Sequence, residues 1–293
     1  MTEWLPEGVA GGRAPGMAAS PGTAAPRVVV CLAGRVVAGL NGLARRLADA
    51  VLPPLCVLCR ADVEAPGCLC AACWGGIAFI GPPCCERLGT PFAHHPGGPL
   101  ISPEALARPP AYHRARAVAA YDGVARDLVH RLKYGDRLDI AGPMARMMAR
   151  AGIEVLDGAD VLVPVPLHGL RLWHRRFNQS AMLARGIGRE SGIAVEPGWL
   201  ERHRSTAPQV RLDRAARAAN VAGAFRVPEA AKAEIAGRRL VLVDDVLTTG
   251  ATLDACAKAL LRAGAGTVDV LVFARVVEGT ALPLVDGDRA PIS

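Results

Sequence analysis

The chain has 293 residues, a formal net charge of +7 and a hydrophobic fraction of 51%. That length allows one large domain or two smaller ones and is enough to bury a sizeable core, which excludes a wholly disordered polyelectrolyte. No uninterrupted apolar run reaches the ~18 residues of a membrane-spanning helix, and no secretory signal is evident, so the expectation is a soluble protein of the reducing cytoplasm. The positive balance would suit a polyanionic partner. The basic residues are almost all Arg, however, with Lys only at Lys133, Lys232 and Lys258. Together with abundant Ala and Gly, this reads equally well as genome base composition.

In chain order, residues 1–26 are rich in Ala, Gly and Pro and read as a disordered tail. Residues 27–52 repeat Leu40, Leu43, Leu47 and Val51 at helical spacing, which predicts an amphipathic helix. Its apolar stripe suits a neighbouring domain, or alternatively a membrane surface. Residues 53–110 are dominated by Pro, Gly and Cys, too loop-rich for an ordinary core. Here Cys56-x2-Cys59 is followed by Cys70-x2-Cys73. Two such turns can place four thiolates at the corners of a tetrahedron around zinc, which would substitute for the missing core. A single pair could be redox-active; two pairs suit a metal. Four thiolates leave no open coordination position, so the zinc would be structural. Cys68, Cys84 and Cys85, with His94 and His95 nearby, offer the ligands of a second metal site but lack a second paired knuckle; the plainer reading is reduced, partly buried cysteines.

From residue 111 to about 280 the pattern changes. RAVAAYDG, DVLVPVP, LVLVDDV and VDVLVFARVV read as strands. DLVHRLKY, MARMMARAG, SAMLARGIGRES and ATLDACAKALLRAG read as helices. Nearly all-apolar strands alternating with helices predict an α/β fold, a mainly parallel sheet covered on both faces. Residues 281–293 form a tail. No internal repeat is legible.

The segment VLVDDVLTTGAT, Val241 to Thr252, carries the chemistry. In a parallel sheet, ligands bind at the carboxyl ends of strands. Asp244 and Asp245 fall at that end. Thr248, Thr249, Gly250, Ala251 and Thr252 then lead into a helix, where free amides and the helix dipole attract an anion. Gly250 lets the backbone come close. A sugar phosphate fits both parts, with hydroxyls on the acids and phosphate in the turn. The plainer reading is a capped helix beside two solvated acids. No Walker motif and no complete G-x-G-x-x-G after a strand occurs, which argues against nucleoside triphosphate and dinucleotide folds.

This segment resembles the phosphoribosyl-pyrophosphate (PRPP) motif of type I phosphoribosyltransferases. VPVPLHGLRLWHRRFNQS, RLKYGDR and the Thr206-x2-Gln209 and Arg217-x2-Asn220 pairs further resemble the ComF family, bacterial proteins that join a zinc ribbon to a phosphoribosyltransferase domain. The resemblance covers most of residues 50–277. It implies that Asp244 and Asp245 contact the ribose hydroxyls and that Thr248 to Thr252 hold the 5-phosphate. It also implies that the turn at Leu167, His168 and Gly169 takes the pyrophosphate. Arg171, Arg175 and Arg176 follow that turn, and their paired donors and permanent charge suit a diphosphate, although a solvated helix start would look the same. Lys133, Asn178, Gln179, Thr206, Gln209, Arg217 and Asn220 are candidate hood or ligand contacts; Asn178 and Gln179 could instead cap their helix.

The implied reaction is displacement of pyrophosphate from PRPP, with Mg2+ held chiefly by the ligand's own oxygens. Some proteins of the wider group are amidophosphoribosyltransferases that release ammonia with an N-terminal cysteine. This chain starts Met-Thr, so that activity is not expected. The family is associated with DNA uptake during competence, which keeps a second function open: a catalytically silent adaptor binding a helicase or single-stranded DNA. Scarce aromatics weaken a base-stacking platform. Many ComF relatives carry a second pair of cysteine knuckles; here CCERLG lacks one cysteine and the SPEA stretch near Ser102 lacks both.

Overall fold

A computed structural model describes residues 53–95, 97–98, 100–134, 138–167, 177–204, 221 and 223–277. The predicted tails and the predicted amphipathic helix over 27–52 lie outside them. Pro54 onward forms one compact unit.

Its centre is a five-stranded sheet in the order β1 (Ala115–Ala120), β7 (Thr267–Arg275), β6 (Arg239–Leu247), β2 (Val161–Pro164) and β3 (Ala194–Val195). Every neighbouring pair in it is parallel. A separate antiparallel pair joins β4 (Glu201–Arg202) to β5 (Phe225–Arg226). The helices are α1 (Ala71–Gly75), α2 (Pro103–Ala107), α3 (Gly123–Tyr134), α4 (Ala141–Ala151), α5 (Ile153–Leu156), α6 (Gln179–Ser191), α7 (Glu229–Ile235) and α8 (Ala251–Arg262).

The apolar strands are buried on both faces, which is why they read as unbroken runs instead of alternating ones. The pleat sends Leu162, Val241, Val243, Leu271 and Phe273 into a core with α3, α4 and α6. Val161, Val163, Leu240, Leu242, Val270 and Val272 point the other way, into a core with α7 and α8.

The cysteine-rich region straddles the sheet. Its first part sends Cys56, Val57, Leu58 and Cys73 into the first core, and its second part sends Cys85, Leu88 and Ala105 into the other. Between them the chain runs along the free edge of β1. Ile80 N–H donates to Val118 O at 2.9 Å and Ala120 N–H to Ala78 O at 2.9 Å, with Phe79 bridging Ala119. An otherwise exposed sheet edge is thereby covered. The strands and long helices expected from the sequence are all present. The two-residue strands and the short helices α1, α2, α5 and α7 were not expected, because so few residues carry no readable period.

Candidate functional site

The first cysteine cluster is built by two turns. Cys56 opens a turn closed by its own N–H to Ala61 O at 2.7 Å and by Arg60 N–H to Cys56 O at 3.1 Å, with Arg60 at φ +67°. Cys70 precedes α1, and Cys73 is the third residue of that helix. The four sulfurs of Cys56, Cys59, Cys70 and Cys73 lie within 4.8 Å of one another. Tetrahedral zinc with Zn–S bonds of about 2.3 Å would set sulfurs about 3.8 Å apart, so the cluster fits that ion. Cys70 N–H donates to Cys56 Sγ at 3.3 Å, a bond suited to a thiolate. Burial opposes ionisation of Cys56, but the backbone donors of Cys59, Cys70 and Leu58 bring its pKa down to about 6. Burial, reinforced by the neighbouring thiols, pushes Cys73 up to about 12. Holding all four as thiolates this close needs a cation among them, and the closed set of four makes the zinc structural.

The acidic cluster lies at the far end of β6. The strand runs on to Leu247, so both acids sit within its last residues instead of beyond its end. Asp244 Oδ1 accepts from Ser180 Oγ at 2.7 Å and from Asp245 N–H at 2.9 Å. Asp245 is buried and pairs with Lys133 Nζ at 2.8 Å. Lys133 comes from the last turn of α3 and Ser180 from the first turn of α6, so two helices of one layer converge on the pair. Burial disfavours the Lys133 ammonium, but the carboxylates of Asp245 and Asp244 outweigh it and hold its pKa above the ordinary lysine value. Burial, with the Asp245 charge beside it, pushes Asp244 up to about 7, against the opposing pull of the Ser180 hydroxyl and Lys133.

After Leu247 the chain turns through Thr248 and Thr249 to Gly250 at φ +79°, a conformation that favours glycine. Gly250 precedes α8, and no side chain caps that helix end. Its first amides and the dipole therefore face the turn, where Thr248 is exposed and Thr249 to Thr252 are half-buried. Asp254 fixes the helix start by accepting from Ala111 N–H at 2.7 Å. Two carboxylate acceptors thus stand next to a row of donors.

Asn178 caps α6, accepting from Ser180 N–H at 3.0 Å, and donates from Nδ2 to Val165 O at 3.1 Å. It ties the helix to the end of β2. Gln179 is buried at the helix start, and Leu167 is half-buried just past β2. His168, Gly169, Arg171, Arg175, Arg176, Thr206, Gln209, Arg217 and Asn220 lie outside the described residues. Two residues near the site escaped the sequence reading. Ser180 is the last residue of VPVPLHGLRLWHRRFNQS, but a serine opening a helix looks like a cap. Tyr112, fully buried, brings its hydroxyl to 3.6 Å from where a side chain on Gly250 would begin. Nothing in its local sequence marks it.

A parallel sheet whose central strand ends in paired acids beside an uncapped helix N-terminus is the layout of a phosphoribosyltransferase-type domain. The chain matches the phosphoribosyl transferase domain over residues 201–286 and the double zinc ribbon domain over residues 47–104. It is 34% identical over 232 residues to the DNA utilization protein YhgH of Salmonella typhimurium, covering 77% of this chain and 99% of that one. It is 28% identical over 229 residues to Competence protein F of Haemophilus influenzae, covering 75% and 96%. Among solved structures, the allosteric regulatory enzyme of purine biosynthesis aligns at 23% identity with a TM-score of 0.34, over 49% of this chain and 30% of that one. The chain belongs to the ComF family, a zinc ribbon joined to a phosphoribosyltransferase domain.

Proposed function

We propose that the chain binds PRPP at the end of β6 and transfers its phosphoribosyl group with release of pyrophosphate, in the service of DNA uptake. The observation that carries this reading is the juxtaposition of Asp244 and Asp245 with the uncapped start of α8 across Thr248–Thr252. The acids accept from the ribose 2′- and 3′-hydroxyls. The Thr hydroxyls and the amides from Gly250 to Thr252 donate to the 5-phosphate, where the helix dipole favours negative charge. Lys133 aims Asp245 through their 2.8 Å contact. Leu167, His168 and Gly169, with Arg171, Arg175 and Arg176, are assigned to the pyrophosphate on the strength of the family motif.

In the reaction the bond from the anomeric carbon to the pyrophosphate oxygen breaks, and pyrophosphate leaves with the electron pair. A nucleophile then bonds to that carbon and loses its proton to solvent. Mg2+ bound to the pyrophosphate would neutralise the leaving charge. Arg171, Arg175 and Arg176, which follow β2 in the sequence, would add permanent positive charge to that neutralisation.

The relatives' names, DNA utilization protein and Competence protein F, and the net charge of +7 favour a second reading. On it the chain is a silent adaptor for a helicase or single-stranded DNA. Phosphorus NMR of the protein with PRPP and Mg2+, supplied with ammonia, nucleobases and single-stranded DNA in turn, separates the two. Pyrophosphate appearing faster with one acceptor, and not with Asp245→Asn, supports transfer. Intact PRPP in every mixture, with single-stranded DNA retained on the protein in a binding assay, supports the adaptor.

A further inference from the structure

The region after the first zinc cluster repeats its backbone. In the first half Cys56 N–H bonds Ala61 O at 2.7 Å, and in the second Cys85 N–H bonds Thr90 O at 2.7 Å. Arg60 N–H to Cys56 O is matched by Gly89 N–H to Cys85 O, and both residues have positive φ, +67° and +63°. Val57 N–H to Cys68 O is matched by Glu86 N–H to Leu100 O, and Val63 N–H to Pro54 O by Phe92 N–H to Pro83 O. Each half ends in a five-residue helix, preceded by Cys70 in one and by Ser102 in the other. The amide of Cys70 donates to Cys56 Sγ at 3.3 Å, and the amide of Ser102 donates to Cys85 Sγ at 3.3 Å. The sequence showed no repeat because the residues that would mark it have changed.

This register places Cys85, Leu88, Ser102 and Ala105 where the first half has Cys56, Cys59, Cys70 and Cys73. Three of the four cannot act as thiolate ligands. Leu88 and Ala105 are buried in the second core. Ser102 turns its hydroxyl to accept from Ala105 N–H at 3.3 Å, capping its helix. Cys85 is fully buried, and its sulfur also accepts from Leu88 N–H at 3.4 Å. Among the described residues no other group of three or more His, Cys, Asp or Glu side chains gathers as a metal site. The second half of the matched double zinc ribbon therefore does not fit zinc.

We infer that the second ribbon is a metal-free replica of the first, held by apolar packing at the former ligand positions, so that the chain carries one zinc. What replaces the ion is visible. The second turn is fastened to the sheet by Ala115 N–H to Arg87 O at 2.8 Å and by Arg116 Nη1 to Glu86 O at 3.0 Å. Arg87 Nη2 in turn donates to Pro110 O and Tyr112 O at 3.0 and 3.1 Å. Arg275, buried at the end of β7, donates to Leu88 O. Burial against the sheet does for this half what the ion does for the other.

The test is metal stoichiometry by native mass spectrometry and elemental analysis of the full chain. Wild type is expected to hold one zinc, Cys85→Ala still one, and Cys73→Ser none. Leu88→Cys/Ser102→Cys/Ala105→Cys, which completes the second thiol set, is expected to hold two. Two zinc ions in wild type, or loss of zinc in Cys85→Ala, would overturn the inference. So would a folded triple variant that holds only one. Should the triple variant not fold, the wild-type count and Cys85→Ala decide the question alone.

Discussion

Two clusters of like charge sit in the same unit and are settled in opposite ways. Cys56, Cys59, Cys70 and Cys73 form a closed set that needs a cation from solution. Asp244 and Asp245 form an open set that is supplied from within, by the ammonium of Lys133 and the hydroxyl of Ser180. The difference teaches what each is for. A closed set with no free coordination position can only hold structure. An acid pair with one carboxylate matched by a lysine and the other kept near its titration point has acceptor capacity left for a ligand.

Removing the external cation should have the largest effect. Zinc sites of this kind supply on the order of 10 kcal/mol of folding free energy. Cys56, Val57 and Leu58 belong to the same core as α3 and α4. Chelation, or Cys73→Ser, should therefore abolish hydrogen-exchange protection over residues 54–76 and lower the melting temperature of the whole unit. Unchanged protection over that segment would show that the cluster is held by packing alone.

Removing the internal cation comes next. Lys133 and Asp245 are mostly buried, at 22% and 10% side-chain exposure. Breaking such a pair from one side costs about 3 kcal/mol or more. Lys133→Met should lower the unfolding free energy by that amount, read from denaturant titration, and weaken PRPP binding. Lys133→Arg should recover much of the stability.

A smaller effect separates the two acids from each other. Ser180→Ala removes a charge-assisted hydrogen bond from Asp244, worth roughly 2 kcal/mol. It should also raise the Asp244 pKa beyond about 7, because the hydroxyl is one of the groups pulling it down. A carboxyl whose folded pKa is raised binds its proton more tightly folded than unfolded. Its contribution therefore makes stability fall as pH rises from ~4, the unfolded value, to about 7. Ligand binding runs the other way, since ribose hydroxyls need the charged acceptor. PRPP affinity should rise through about pH 7 in wild type, and the midpoint should move upward in Ser180→Ala. A pH profile identical in the two proteins would remove Asp244 from the site.

The smallest change tests the turn. Gly250→Ala forces a side chain into the left-handed region, costing ~1 kcal/mol, with its methyl in ordinary contact with the Tyr112 hydroxyl. It should weaken PRPP more than it weakens the fold.

Much of this was legible in the residues because the relevant signals are local. An apolar run ending in Asp-Asp-x-x-Thr-Thr-Gly marks strand, acids and turn within one segment, and Cys-x2-Cys pairs mark their own geometry. The partners of those groups were not legible. Lys133 reaches Asp245 across 112 positions and Ser180 reaches Asp244 across 64, distances only the folded sheet can close. The second ribbon was legible only through the family resemblance, which located its incomplete knuckles at CCERLG and SPEA. No internal repeat shows it, because Leu88, Ser102 and Ala105 occupy its marker positions and only backbone bonds carry the likeness.

The most direct measurement is a calorimetric titration of the zinc-loaded protein with PRPP and Mg2+ beside Asp245→Ala. Micromolar binding to wild type is expected, and its loss in a variant that remains folded and keeps its zinc. No heat from folded, zinc-loaded wild type, or equal binding by the two proteins, would contradict it.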